Sequence, residues 1–295
     1  EEESKQKWGD YYFKDLDDAT KKEVWNYQLM IVDINEKVTR PEIINMFRRL
    51  NLTDYNLNSQ EKRNSLSGEF ASLARQLSDL PIWEKYKLFN NVDVKRMKDV
   101  EFCASLILLF RSGIIDQSDQ KALNRAYEDL QVKYDDANND RDAIICATTQ
   151  LETILSSSML VKFLQKKSQL YTIFSILFYM KREKIEFSDI ILQRLEDFVK
   201  MYGIFDNDMN IDSEMTQKEK DIFDNIKKYK LASSEGLNKQ INRMIRFNTL
   251  KNFLFNGDSE YINSQKSLFK KMEDKLQKNL IETIENSLNQ IEEDN

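Results

Sequence analysis

Four arginines lie on or beside apolar helical stripes, where a guanidinium group would be directed into the protein. On a helical wheel Arg63 falls within about 60° of Leu66, at the edge of an apolar stripe. Arg96 shares a predicted stripe with the apolar residues that follow it, and Arg243 and Arg246 point to the apolar side of a helix predicted over 237–255. Guanidinium groups are almost never buried without partners, so these residues predict either ion pairs or an anion site.

Two interpretations of the arginines are open. In the first, each is structural and pairs with a carboxylate such as Glu61, Asp99 or Glu101, or with carbonyls at helix ends. In the second, they form a basic pocket that binds a phosphate or the acidic motif of another domain. Asn51 follows Arg48 and Arg49 at a predicted helix end and is the asparagine of this region that best fits such a pocket.

The chain contains no histidine, which removes histidine-dependent catalytic triads, histidine metal sites and HNH nuclease centres. Cys103 and Cys146 lie in apolar helical stretches and are expected to be buried thiols of a reducing compartment. The segment Asp208–Glu219 has acidic residues at the spacing of a calcium loop, but Ser213 replaces the glycine that such a loop needs. An acidic turn before a capping box formed by Thr216 and Glu219 is the favoured interpretation.

Composition favours a mainly helical protein without an overall basic surface. The 295 residues include only 6 Gly and 2 Pro, and the net charge is −6 with a pI near 5.1. Proteins that bind nucleic acid usually have a basic footprint, so DNA binding by this chain would have to be local. The lack of a signal peptide and the short apolar run Leu170–Met180 predict a soluble, cytoplasmic protein without a membrane contact.

Apolar periodicity defines the elements. Tyr27–Ile34 is the one segment that reads as a β-strand, so the predicted fold is mainly α with one short N-terminal β-strand. A helix is predicted from Thr39 to about Leu50, and another begins at a cap formed by Asn58 with Glu61. Further helices are predicted over 94–111, 118–134, 139–157, 167–184, 188–202, 217–231, 237–255 and 263–292.

The last predicted helix, 263–292, is amphipathic and rich in Lys and Glu. Its apolar residues are spaced to form one face, which fits docking, oligomerisation or ordinary packing against the body. The chain is accordingly divided into three predicted parts: an N-terminal remnant over 1–36, a helical domain over 37–257 and a C-terminal helix over 258–295.

Three segments resemble one protein family. Ile44–Ser65 (INMFRRLNLTDYNLNSQEKRNS) resembles the pattern "iF.RlN" followed by "Ln.qElRna", and Lys95–Phe102 (KRMKDVEF) resembles "kRm.d.El". Tyr229–Leu254 is similar to a closing segment with two spaced arginines. The family is the GmrSD-type, ParB-like family (domain-of-unknown-function family 262), and the resemblance spans roughly Tyr12 to Leu254.

The resemblance implies a role in anti-phage defence, because GmrSD-type restriction proteins are the characterised relatives. The family's Asp-Gly-Gln-Gln-Arg motif and its HNH domain are not found in this sequence, so the chain is expected to be the helical region downstream of that motif. It would support or regulate a nucleotide-dependent ParB-like domain and would contain no catalytic residue or cofactor. NTP, a divalent metal and DNA are implied only for a longer protein, and another class of function, a protein-interaction module acting through 263–292, is the alternative.

The family-like segments and the apolar stripes together give a predicted polar or basic pocket. Its residues are Arg49, Asn51, Arg63, Asn64, Arg96, Arg243 and Arg246. Within this set Arg49, Arg63 and Arg96 are expected to lie close together, facing the Tyr27–Ile34 strand. No residue of the set is predicted to bind a metal.

Overall fold

A computed structural model describes residues 12–28, 59–64, 68–206, 209 and 215–293 of the chain. In addition, the side chains of 61, 62, 64, 282, 283 and 285–293 are not described. The chain divides into two compact units, Glu1–Asp54 and Tyr55–Asn295. The predicted boundaries at 36/37 and 257/258 stay predictions.

The described part of the first unit is a short helical segment. A 3-10 turn over Phe13–Asp15 precedes helix α1, Asp18–Trp25. Asp17 caps α1, since its carboxylate accepts a hydrogen bond from the backbone N–H of Thr20 at 2.8 Å. Tyr27 is exposed and irregular, and most of the predicted Tyr27–Ile34 strand and the helix predicted from Thr39 lie outside the described residues.

The second unit is built from helices, and no strand occurs in the described ranges of either unit. The described helices of this unit have between 5 and 35 residues. They are α2 (Ser59–Asn64), α3 (Glu69–Ser78), α4 (Pro81–Lys85), α5 (Asn91–Lys95), α6 (Lys98–Ser112), α7 (Lys121–Asp129), α8 (Ala137–Ile154), α9 (Ser158–Leu164), α10 (Lys167–Glu183), α11 (Asp189–Ile204), α12 (Gln217–Ala232), α13 (Gln240–Phe255) and α14 (Ser259–Glu293). The mainly helical class is therefore confirmed, whereas the strand is not supported.

Two predicted helices are interrupted. The helix predicted from Asn58 through Leu77 is broken at Gly68, whose extended backbone precedes α3. The helix predicted over 94–111 begins only at Lys98, because Met97 adopts a left-handed backbone conformation with φ 54°. The prediction that Arg96 lies on the stripe of Val100 and Cys103 is thus wrong, since Arg96 ends α5 instead.

Helices α6 and α10 form the centre of the core. Every residue of α6 from Phe102 to Leu109 is buried, as is every residue of α10 from Ser168 to Phe178. Helix α6 packs against α3, α8 and α10, and α10 packs against α13. Both helices are covered on every side. Apolar side chains therefore occur on all of their faces, because the burial of each face stabilises the fold.

The C-terminal helices α11, α12 and α14 pack together, with α14 in contact with both of the others. Helix α12 begins with the predicted capping box, in which Thr216 and Glu219 each bond the other's backbone N–H. The first half of α14 packs on α11 and α12 through the fully buried Leu268 and Met272. From Leu276 to Ile281 every side chain is exposed. In the part of the chain that the structure describes, no helix is both long and apolar enough to span a membrane.

Candidate anion-binding cavity

A polar cavity of about 340 Å³ opens where α6, α7, α10 and α13 meet the loops 113–120 and 233–239. This volume lies within the range of small-molecule pockets, about 300–1,000 Å³. Its walls combine a few apolar side chains with amides, hydroxyls and four cationic side chains. The cations are Lys98, Lys167, Arg243 and Arg246.

Arg243 is buried in the cavity wall and binds only neutral acceptors. Nη1 donates to the backbone oxygen of Ile115 at 3.1 Å and to the hydroxyl of Tyr171 at 3.2 Å, and the guanidinium lies 4.0 Å from the centre of the Tyr171 ring. Nη2 donates to Gln117 Oε1 at 3.2 Å and to Asn238 Oδ1 at 3.1 Å. Burial lowers the pKa of Arg243, an effect that the attraction of Tyr171 and Asp116 opposes.

Arg246 lies one helical turn further along α13 and is 1% exposed. Nη1 donates to the backbone oxygen of Ala232, the last residue of α12, and Nη2 donates to that of Leu237 at 2.8 Å. Nε donates to the hydroxyl of Thr172 at 3.2 Å. Burial lowers its pKa, whereas the carbonyl of Ala232 at the end of α12 stabilises its charge, which is one of the contacts that the structural interpretation of the arginines expected.

The two lysines of the cavity are paired with carboxylates. Lys98 Nζ lies 2.7 Å from Glu101 Oε2, and Lys167 Nζ lies 3.2 Å from Asp93 Oδ2. Both lysine side chains are partly exposed, at 47% and 35%. They neutralise the two acidic residues of the lining, so the two arginines leave the cavity with an excess of two positive charges.

Two buried donors of the cavity wall have no hydrogen-bond partner among the described residues: Nε2 of Gln117 and Nε of Arg243. The two side chains are 2% and 4% exposed. Leaving a buried donor unsatisfied costs about 1–3 kcal/mol. Because the Gln117 oxygen is already occupied by Arg243, its amide nitrogen remains for an acceptor from outside the wall.

Arg63 connects the family-like segment to the same wall. It is 4% exposed, and its Nε, Nη1 and Nη2 donate to Gln60 at 2.9 Å, Asn124 at 2.8 Å and Gln120 at 2.9 Å. Among the described side chains its carboxylate contact is Glu101, whose Oε1 lies 3.5 Å from Nη2. Gln120 and Glu101 both line the cavity, whereas Arg63 does not. Arg63 therefore holds two residues of the wall in place through these contacts.

Among the remaining predicted pocket residues whose side chains are described, Arg96 does not line this cavity. Arg96 is half-buried at the end of α5, and Asn64 ends α2 with a side chain that is not described. Arg49 and Asn51 lie outside the described residues, so the predicted cluster of Arg49, Arg63 and Arg96 stays a prediction.

Most of the neutral polar side chains in the cavity wall were not predicted from the sequence. Gln117, Gln120 and Asn238 lie in loops, where no periodicity marks a side chain as inward-facing. Lys98 and Lys167 lie in the first turn of their helices, where a lysine side chain is usually expected to be exposed to solvent. A usable signal was the buried Tyr171, because a tyrosine hydroxyl within an apolar helix needs a polar neighbour.

Other candidate sites are less well formed. Cys103 is buried, but Cys146 is exposed, which corrects the expectation that both thiols are buried, and neither forms a disulfide. Most of the acidic segment before Thr216 lies outside the described residues. Among described residues, no group of three or more acidic, Cys or His side chains could hold a metal ion.

Comparisons with family models, curated protein sequences and solved structures gave no match to this chain. The resemblance to the GmrSD-type family therefore rests on the three sequence segments quoted above. Residues from two of those segments, Arg63 and the Arg243–Arg246 pair, lie in or against the wall of one cavity.

Proposed function

We propose that this chain is the helical coupling region of a GmrSD-type anti-phage defence protein, acting on a nucleotide-dependent ParB-like domain through the polar cavity. The observation that supports this function is the position of Arg63. It comes from the Ile44–Ser65 segment, and its guanidinium contacts Gln120 and Glu101 of the cavity wall. A displacement of that segment would therefore move the residues of the cavity wall that Arg63 contacts.

The proposal places the chemistry outside this chain. The experiment is to express the chain alone and to measure nucleotide hydrolysis and DNA cleavage. We expect neither activity above the level of a heat-denatured control. Robust turnover in either assay would overturn the assignment as a non-catalytic region.

The coupling itself is tested by removing one contact of Arg63 at a time in a protein that also contains the ParB-like domain. Gln120→Asn shortens the side chain that reaches the cavity and keeps a residue type that tolerates the left-handed backbone at φ 64°. Asn124→Ala is the matched control, since Asn124 accepts an equivalent bond at 2.8 Å from a position that does not line the cavity. Both changes should cost about 1 kcal/mol of stability.

We expect the two variants to differ in activity. Gln120→Asn should lower the nucleotide-dependent activity at least tenfold, and Asn124→Ala should leave it within about twofold of wild type, the small change that a loss of about 1 kcal/mol in stability allows. Equal effects of the two substitutions would mean that Arg63 has only a structural role and would contradict the coupling function.

A second candidate is a protein-interaction module that acts through the end of α14, forming a dimer with another copy of the chain. The observation in its favour is the row of exposed apolar side chains there: Leu276, Leu280, Ile281 and Ile284 are between 42% and 61% exposed. Light scattering after size exclusion tests it, with a truncation after Lys275 that keeps the buried Leu268 and Met272. A truncated chain of unchanged assembly state would exclude this candidate.

A further inference from the structure

The side chains that line the cavity indicate which kind of ligand it would bind. The lining has two more positive than negative side chains, and the excess is provided by Arg243 and Arg246, which are 4% and 1% exposed. Asp116 is close enough to attract Arg243, but its carboxylate is bonded to Ser118 and to the backbone of Gln240. An anion in the cavity would therefore face two buried guanidinium groups that have no described carboxylate within ion-pair distance.

Hydrogen bonding points to the same kind of occupant. The two donors without a partner among the described residues, Gln117 Nε2 and Arg243 Nε, belong to adjacent side chains joined by a 3.2 Å bond. Both are nine-tenths buried or more, and both side chains line the cavity. A ligand that satisfies them must be an acceptor, and Lys98 and Lys167 at the same cavity supply further donors for it.

We propose that this cavity binds the phosphate group of a small phosphate monoester, with Gln117 and Arg243 as direct donors to the phosphate. A phosphate supplies several acceptor oxygens at once, and guanidinium groups match its geometry better than that of most other anions. The apolar side chains of Phe102, Leu123 and Leu237 in the same lining would contact the organic part of the ester. The cavity volume of about 340 Å³ suits a small molecule and is too small for a nucleic-acid duplex.

This inference goes beyond the coupling function and is independent of it, because it rests on the cavity's own residues. Binding is measured by isothermal titration calorimetry on the whole chain, with inorganic phosphate, phenyl phosphate and succinate as probes. We expect saturable binding of phosphate, binding of phenyl phosphate at least tenfold tighter, and binding of succinate at least tenfold weaker than that of phosphate. Absence of phosphate and phenyl phosphate binding, or equal affinity for succinate, would overturn the proposal.

The decisive variant is Gln117→Glu. The new carboxylate would stand where the Gln117 oxygen already meets Arg243, so it should neutralise the guanidinium and remove the free amide donor without loss of folding. We expect phosphate affinity to fall at least thirtyfold and the thermal midpoint to stay equal or rise. Gln76→Glu, which adds the same charge at an exposed position of α3, is the matched control and should change phosphate affinity less than twofold.

The phosphate affinities of Gln117→Glu and Gln76→Glu together decide whether the cavity is the phosphate site. Loss of binding in Gln117→Glu alone supports the site, whereas binding that survives this substitution, or is lost equally in Gln76→Glu, overturns it. Because Gln117→Glu adds a charge to the wall, Lys167→Met, which removes one at the partly exposed mouth, provides a second variant. It should lower phosphate affinity at least fivefold, and unchanged affinity would count against the assignment of this cavity.

Discussion

Arg63, Arg243 and Arg246 have guanidinium groups nearly without solvent contact, but only Arg63 has a carboxylate within ion-pair distance among the described residues. The other two are surrounded by backbone carbonyls, amide oxygens and hydroxyls. Arginine stays protonated in such a site because its pKa is so high, whereas a lysine would lose its proton. Neutral acceptors therefore hold the charge in place without cancelling it, which leaves it available to an anion.

Glu219 shows the opposite case, a buried carboxylate that is fully paired. Its side chain is 2% exposed, and Lys271 Nζ lies 2.8 Å from Oε2. Burial opposes its ionisation, but hydrogen bonds from Lys271, Ser267 and the capping residue Thr216 outweigh that effect and lower the pKa from 4.5 to about 2. The ionised form is thus favoured in the folded state, and its contribution to stability is present above pH 4.5 and lost as the pH falls towards 2.

We therefore predict that Glu219→Gln lowers the free energy of unfolding at pH 7 by about 2–3 kcal/mol. The difference from wild type should shrink steadily between pH 4.5 and 2, as measured by urea unfolding. Glu260→Gln is the control, since Glu260 is an exposed partner of Lys218 and such surface pairs contribute about 0–1 kcal/mol. A difference for Glu219→Gln that is independent of pH would refute the ion pair as its origin.

At the scale of the elements, the start of α3 depends on the absence of a side chain at Gly68. Backbone N–H groups of Glu69 and Phe70 donate to the carbonyls of Gln131 and Leu130, so the segment after α7 caps α3. A Cβ at Gly68 would lie 2.8 Å from the carbonyl oxygen of Gln131. Alanine there would push the two segments apart.

We predict that Gly68→Ala destabilises the fold by about 1–3 kcal/mol, the usual cost of overpacking. Gly203→Ala is the matched control on α11, where nothing lies within 4 Å of an added Cβ, and it should stabilise the fold by about 0.5–1 kcal/mol. Chemical denaturation of both variants measures the two effects. Equal effects of the same sign would show that close approach at Gly68 does not matter.

The sequence was a good guide to long helices and a poor one to breaks and loops. Eight helices after residue 94 were predicted within a few residues of their ends, except at Lys98 and in the shorter α7, because their apolar residues recur with the helical period. Helices α4, α5 and α9 were not predicted, since five to seven residues are too few to display a period. The break at Met97 has no local signal, because a left-handed methionine is imposed by the surrounding structure.

Helical periodicity also explains which residues of the site could be predicted from the sequence. Arg63, Arg243 and Arg246 were found because each stands on or beside a periodic stripe, which predicts burial. Their actual partners were not, because Gln117 and Asn238 belong to loops that are joined to the helices only by the tertiary fold. Bonds between residues more than a hundred positions apart, such as that from Arg243 to Gln117, have no counterpart in local sequence.

At the scale of the whole molecule, the described core runs without interruption from Phe70 to Met272. Aromatic rings of Trp83, Phe89, Phe102 and Phe174 lie 5.6–6.3 Å apart at its centre, joining α4, α6 and α10. All of these residues belong to the second compact unit. Every described residue of the core cluster belongs to that unit.

We consequently predict that a chain starting at Tyr55 folds by itself and unfolds in a single cooperative thermal transition. Its midpoint should lie within about 5 °C of that of the complete sequence, a shift that corresponds to no more than about 1–2 kcal/mol for a unit of this size. Circular dichroism at 222 nm follows the transition. A truncated chain that melts gradually, or aggregates at once, would show that the first unit is required for the core.

The exposed end of α14 has a further consequence for how that helix behaves. Its 35 residues extend for about 50 Å, and the last buried side chain among those described is Met272. Isolated helices are marginal in water up to about 12–15 residues, and the 17 residues over 277–293 are only slightly more, so we expect this stretch to be marginally stable as a helix. Temperature, ionic strength or a bound partner therefore sets how far the helix reaches from the body, while the packed half remains unchanged.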